Sequence, residues 1–339
     1  MVANGVTATY EFAPGNVLAF VLETDGTHLV RDREPPTPFV VDGPRREVRV
    51  RMRRAGICNT DLELARGYMG FRGVLGHEFV GEALDGSLAG KRVVAGINFG
   101  CATCRWCEAG MERHCPRRRV LGIVGADGAM AEQLIVPERN LRVVPDDITD
   151  DEAVFAEPLA AARQIVEQLA EIGRLGDRTS AALVLGAGKL GPLIAQVLAA
   201  EGRLVELVGR HLEPLEWLRD RGVTPREELP ATRRPLVIDA TGTADGLRQA
   251  IAATEPRGTL VLKTTMAVRH EVDLAPVVID EITVLGSRCG RIETALERLA
   301  AGQVATAGLI DALYDLEDAE RGFTRAAESG VRKILLRGT

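Results

Sequence analysis

The sequence predicts an α/β protein of two domains, a β-rich N-terminal half followed by a doubly wound parallel sheet with helices on both faces. Three observations carry that expectation. At 339 residues the chain is longer than one hydrophobic core ordinarily serves. Up to Pro145 its apolar residues come in short, often alternating runs broken by turn-formers. Beyond Pro145, short unbroken apolar runs alternate with helical stretches, as strands buried on both faces require.

Along the chain, Met1 to Val17 shows no pattern and reads as a flexible extension. From Val17 to Arg54, runs are interrupted by clusters such as Glu34-Pro35-Pro36-Thr37-Pro38, and Val48-Arg49-Val50-Arg51-Met52 alternates strictly, the mark of a half-buried strand. Val74 to Glu82, Val93 to Gly96 and Gln133 to Val136 continue the β character. Asp150 to Leu169 has helical spacing with acidic residues early, where the helix dipole favours them. Strands are expected at Ala182 to Leu185, Leu204 to Val208, Leu236 to Ile238, Leu260 to Leu262 and Ile282 to Leu285. Helices such as Leu190 to Ala200 and Leu215 to Arg219 separate them. Helical segments around Ile292 to Ala301 and Glu317 to Ser329 precede a closing strand, Lys333 to Leu336.

Composition narrows the partners. Apolar residues make up 46% and charged residues 27%, ordinary for a soluble protein, and the formal charge of -6 offers no general attraction for nucleic acid or an anionic membrane. No apolar run approaches the roughly 20 residues that span a bilayer, and no secretion signal is visible, so a cytoplasmic location is expected. Lysine occurs only at Lys91, Lys189, Lys263 and Lys333, the remaining cations being arginines, and Arg117-Arg118-Arg119 reads as a solvated loop.

Gly186-Ala187-Gly188-Lys189-Leu190-Gly191 follows a strand and opens a helix, the context that gives a dinucleotide fingerprint its meaning. Gly186 allows the tight turn, Gly188 lets backbone approach a pyrophosphate, and Gly191 lets the helix pack closely on the sheet. The helix N-terminus then offers free N–H groups to the phosphates. The next strand ends in Val208-Gly209-Arg210-His211, without the carboxylate that would hold a ribose 2′-hydroxyl. Arg210, with His211 assisting, suits a 2′-phosphate instead, favouring NADP(H) over NAD(H).

Six cysteines are present, four of them at Cys101, Cys104, Cys107 and Cys115. That crowding argues for metal ligation, and a closed four-thiolate shell is what a structural zinc takes. A second, dispersed constellation comprises Cys58, His77 with Glu78, and Glu157; cysteine, histidine and carboxylate can bind one zinc with a position left open.

Together, Gly56-Ile57-Cys58-Asn59-Thr60-Asp61, Gly76-His77-Glu78-Phe79-Val80-Gly81, the four-cysteine lobe, Glu157-Pro158 and the glycine motif resemble the zinc-containing medium-chain dehydrogenase/reductase superfamily, from about Val17 to the C-terminus. The resemblance implies a GroES-like catalytic domain over 1–148, a Rossmann domain over 149–287 and a segment 288–339 that returns to the catalytic domain. It implies two zinc ions per chain. Cys58 and His77 match catalytic zinc ligands, Glu157 matches the third as in polyol and sugar dehydrogenases, and Glu78 matches a carboxylate that supports the site or exchanges onto the metal. Thr60 matches the start of a proton relay, Asp61 an anchor for the zinc site, and Thr241 the strand end against the cofactor. Leu62 to Gly73 would line the substrate pocket, and Cys289 has no ligand role in the pattern. The implied reaction is hydride transfer between a nicotinamide and an alcohol or carbonyl, in a homodimer or homotetramer. Two alternatives compete: a zinc-free quinone or enone reductase on the same fold, and a non-catalytic NADP(H)-binding sensor holding only the structural zinc.

Overall fold

A computed structural model describes residues 15–38, 43–175, 180–265 and 271–338. The patternless N-terminus therefore lies outside the described residues up to position 14. The strand Glu47–Ile57 organises the first half: Val48, Val50 and Met52 point inward while Arg49, Arg51 and Arg53 face solvent. Glu78–Ala83 pairs antiparallel along one edge of it, followed by Arg92–Ala95 and Leu141–Val143, and Gln133–Pro137 also pairs with it. The last strand, Lys333–Arg337, pairs antiparallel with its end, and Ile310–Asp315 lies parallel beyond that. Residues from the far end of the chain thus complete the N-terminal sheet.

The second sheet has six parallel strands. Their order is Val223–Arg226, Val205–Val208, Ala182–Leu185, Arg234–Asp239, Thr254–Leu262 and Thr283–Gly286. The strand order reverses at Ala182–Leu185, and doubly wound sheets bind ligands in the crevice beyond the carboxyl ends at such a point. On one face, the helices Ala156–Glu171, Gly191–Ala200 and Ile292–Ala300 share a core with the sheet. That core includes Val80, Val94 and Leu335 of the first sheet, so the two halves are packed together by one apolar cluster. Among the described residues no helix is long and apolar enough to cross a membrane.

Three expectations change in detail. The run Val74 to Glu82 is two strands, Gly73–Val74 and Glu78–Ala83, because Gly76 takes a positive φ of 96° between them. The helix expected from Asp150 is two, Asp150–Ala153 and Ala156–Glu171, broken around the fully buried Phe155. Leu215 to Arg219 lies in a 3₁₀ helix, Glu213–Arg221, whose three-residue turn aligns buried Leu215 with Leu218 and pairs Glu216 with Arg219 outside. Ile310–Asp315 forms a further strand, in which half-buried Ile310, Ala312 and Tyr314 alternate with exposed Asp311, Leu313 and Asp315.

The short helix Asp150–Ala153 opens on a capping box in which Thr149 and Glu152 satisfy each other's backbone N–H. Asp150 accepts from Arg53 at 2.7 Å and Arg92 at 3.0 Å, tying the start of the second half to the first sheet. Burial works to raise its pKa, but these two guanidiniums hold it below the ordinary 3.8. Its stabilising effect is therefore present above the unfolded pKa and lost as pH falls through the lower folded value. Asp150→Asn is expected to cost about 1–3 kcal/mol at pH 7. In urea melts the gap from wild type should close below pH 3.8; a pH-independent gap would contradict the assignment.

Candidate active site

A cleft of about 870 Å³ lies between the two sheets, and most of the singled-out residues line it. Cys58 ends the turn after Glu47–Ile57 and is the N-cap of the helix Asn59–Ala65. Asp61, in the first turn of that helix, is fully buried. It accepts hydrogen bonds from the backbone N–H of Cys58 at 2.8 Å and of Gly76 at 3.2 Å, and its other reach is to His77 Nδ1 at 3.3 Å. One carboxylate therefore ties together the two loops that carry Cys58 and His77.

Cys58, His77 and Glu78 bring ligand atoms within 4.8 Å of one another. Burial would push the His77 imidazole down, but the charges of Asp61 and Cys58 hold its pKa well above the ordinary value. A cluster that draws a proton onto its histidine in this way is chemically suited to a cation. Glu157, at the start of Ala156–Glu171, lines the same cleft but stands outside that tight group. Burial, and Glu78 nearby, raise its pKa. Thr60 lines the cleft with its hydroxyl 3.8 Å from the Cys58 sulfur.

Lys333, at the start of the last strand, joins this site with no motif around it to mark it. Its ammonium donates to Glu78 inside the protein, both side chains being almost wholly buried. Asp311 sets the approach of that strand by accepting from the backbone N–H groups of Arg332 and Lys333. A signal was available: three of the chain's four lysines, Lys189, Lys263 and Lys333, line the cleft. Burial lowers Lys189 and Lys263 to about 8.

The four thiols Cys101, Cys104, Cys107 and Cys115 converge in a separate lobe, all free of disulfides. The Cys101 N–H points at Cys115 Sγ at 3.4 Å, and Arg117 donates to Cys101 Sγ at 3.2 Å. Four thiols gathered this closely, with donors aimed at sulfur, fit a tetrahedral thiolate shell. His114 lies beside the lobe on an exposed surface, outside the thiol group.

On the opposite wall, Gly186 has φ of 107°, and a Cβ on Gly191 would sit 1.7 Å from the Gly186 carbonyl oxygen. A Cβ at Gly188 would meet nothing, so that position opens onto free space. Gly209 lies against Ala187, and Leu190 caps the helix Gly191–Ala200. The Lys189 ammonium donates to the carbonyls of Ala326 and Val331, so its side chain ties the glycine loop to the C-terminal segment. Arg210 lines the cleft and makes no ion pair among the described residues. Glu206 is turned away onto Arg226 and Arg234. The His211 ring bonds Ser329 Oγ, and Thr241 bonds Asp239 through both its N–H and its hydroxyl.

Residues 44–146 match the family model of the alcohol dehydrogenase GroES-like domain. The chain is 30% identical to an L-threonine 3-dehydrogenase of Streptomyces avermitilis, covering 91% of this chain and 98% of that one. An alcohol dehydrogenase structure from Escherichia coli CFT073, complexed with NADH, superposes with a TM-score of 0.81 at 26% identity, covering 95% of this chain and 100% of that one. A putative zinc-binding dehydrogenase from Sinorhizobium meliloti 1021, bound to NADP, gives 0.79 at 25%, covering 95% and 99%.

Removing Lys333 leaves a buried carboxylate without its partner. Lys333→Met should therefore cost about 3–5 kcal/mol in chemical denaturation, and the double change with Glu78→Gln should recover most of that. A single variant as stable as wild type would show that the pair carries no such constraint.

Proposed function

The chain belongs to the medium-chain dehydrogenase/reductase superfamily, and from that premise we propose a zinc-dependent dehydrogenase moving hydride between an alcohol or polyol and a nicotinamide cofactor, NADP(H) preferred. The observation that carries the reading is the convergence of Cys58, His77 and Glu78 in a cleft whose other wall is the glycine loop. Cys58, His77 and Glu157 hold the catalytic zinc, and Glu78 is the carboxylate that exchanges. The pairing supports this division, since Lys333 holds Glu78 while Glu157 has no ion pair among the described residues. Cys101, Cys104, Cys107 and Cys115 hold a second, structural zinc. When bound, the catalytic ion supplies a Lewis acid for the substrate oxygen, and the nicotinamide supplies the hydride site.

The chain's own residues do the remaining work. Asp61 orients Cys58 and His77, so that the ligand loops need no rearrangement. Thr60 receives the proton from the substrate hydroxyl and passes it towards solvent. Gly188 and the N-terminus of Gly191–Ala200 receive the pyrophosphate, and Arg210 the 2′-phosphate. The relatives quoted above carry NADH in one case and NADP in the other, so the choice turns on this strand end. The domains divide at 148 and 287, with 288–339 returning to the catalytic part.

The proposed assembly is a homodimer or a homotetramer built from such dimers. Val284 is exposed on the edge strand of the parallel sheet, and Leu274, Val278 and Ile279 are exposed on the short helix that precedes it, a surface that a second copy would cover.

Metal analysis should find two zinc ions per chain, falling to about one in Cys58→Ala, and wild type should bind NADPH more tightly than NADH. One zinc per chain, unchanged by the substitution, would move the zinc-free reductase or the binding-only sensor forward. Arg210→Ala should weaken NADPH at least about tenfold while sparing NADH, as loss of a charge-assisted phosphate contact requires. Equal weakening of both cofactors would remove Arg210 from the 2′-phosphate. Light scattering should show Ile279→Asp with Val284→Lys halving the assembled mass.

A further inference from the structure

The charges along the cleft fall into two groups. Its carboxylates are largely answered: Glu63 by Arg66, Glu78 by Lys333 and Glu328 by Arg325. Three arginines on the metal-lobe side are not. Arg113, Arg118 and Arg288 all line the cleft, and none faces a carboxylate at ion-pair distance among the described residues. They line the cleft together with His114, and Arg288 donates to the Arg113 carbonyl. Arg118 gives one guanidinium N–H to the Cys115 carbonyl at 3.3 Å, and its Nε is buried with no partner. Most other arginines of this chain are matched to Asp or Glu, so three unmatched ones on one wall form a localised positive field. A cleft lined by one sign of charge concentrates ligands of the opposite sign.

This field is separate from the cofactor's phosphate end. Arg210 follows the strand Val205–Val208, and Arg288 follows Thr283–Gly286, four inter-strand steps away in the sheet. At about 4.8 Å per step that is roughly 19 Å. Arg288 is instead next in sequence to Cys289, which lines the cleft together with Asn98 and Glu157. The trio therefore belongs to the substrate end.

Resting on the alcohol-oxidising reading above, we propose that the substrate carries an anionic group, a carboxylate or a phosphate, besides the hydroxyl to be oxidised, and that Arg113, Arg118 and Arg288 receive it. A planar guanidinium fork matches either oxyanion with two parallel hydrogen bonds. The substrate class is thus a hydroxylated acid or a polyol phosphate, not a neutral polyol.

The test titrates the zinc-loaded protein, with NADP⁺ bound, with D-gluconate, D-glucitol 6-phosphate and neutral D-glucitol by calorimetry. Oxidation rates are measured for the same three and for a panel of simple alcohols. At least one anion should bind about tenfold or more tighter than D-glucitol, with an advantage that shrinks as salt is added. The advantage should collapse in Arg113→Ala with Arg288→Ala and persist in part in Arg113→Lys, which keeps the charge. The variants should change KM for the anion more than kcat. Equal or undetectable binding of the three, or an anion preference that survives the double variant, overturns the proposal. Failure of the parent reading looks different: no alcohol transfers hydride to the cofactor, whatever the anion preference.

Discussion

The carboxylate of Asp61 is the constraint on which the site depends. It is wholly buried, and a buried carboxyl group is tolerated only where hydrogen-bond partners surround it. Here those donors are the backbone of Cys58 and of Gly76, with the His77 ring 3.3 Å away. Cys58 lies beyond one strand of the first sheet and His77 just before its neighbour, so the sheet register alone brings them near. Asp61 fixes what register leaves loose. The left-handed turn at Gly76 belongs to the same arrangement, because it frees an N–H to point back at Asp61 and interrupts the strand where His77 must face the cleft.

Around that anchor the charges are arranged in two ways. One buried carboxylate is met by a fixed cation, as Lys333 meets Glu78 from the last strand of the chain. The site is therefore closed by residues 255 positions apart in sequence. Along the cleft's outer wall the logic reverses. Arginines stand without carboxylates, leaving a field to be satisfied by whatever enters. The same contrast separates Glu206, held by Arg226 and Arg234 beneath the sheet, from Arg210, left open above its end.

The two walls also differ in how they make room. The dinucleotide wall does so by removing side chains: a Cβ at Gly191 would collide with the turn, whereas one at Gly188 would occupy space left free. The metal wall does so by gathering side chains from separate strands into one cluster. The first is a local property of six consecutive residues, and the second needs the whole sheet.

That difference explains what could be read in advance. The sequence by itself determined the parallel sheet, because unbroken apolar runs such as Ala182–Leu185 admit little else, and it determined the glycine turn and the four-thiol lobe, whose parts are adjacent in the chain. It also marked Cys58, His77, Glu78 and Glu157 through their surrounding motifs. Only the tertiary structure decided that Glu78 joins the tight group while Glu157 stands just outside it, that Lys333 is the partner of Glu78, and that Arg113, Arg118 and Arg288 line the same cleft. The strand Ile310–Asp315 likewise became legible only beside Lys333–Arg337, since its weak alternation acquires meaning from the neighbour that covers it. The physical reason is common to all of these. Periodicity and spacing report forces acting within a few residues, whereas a buried ion pair or an unmatched charge is a relation between distant segments, fixed only when packing sets their distance and excludes water.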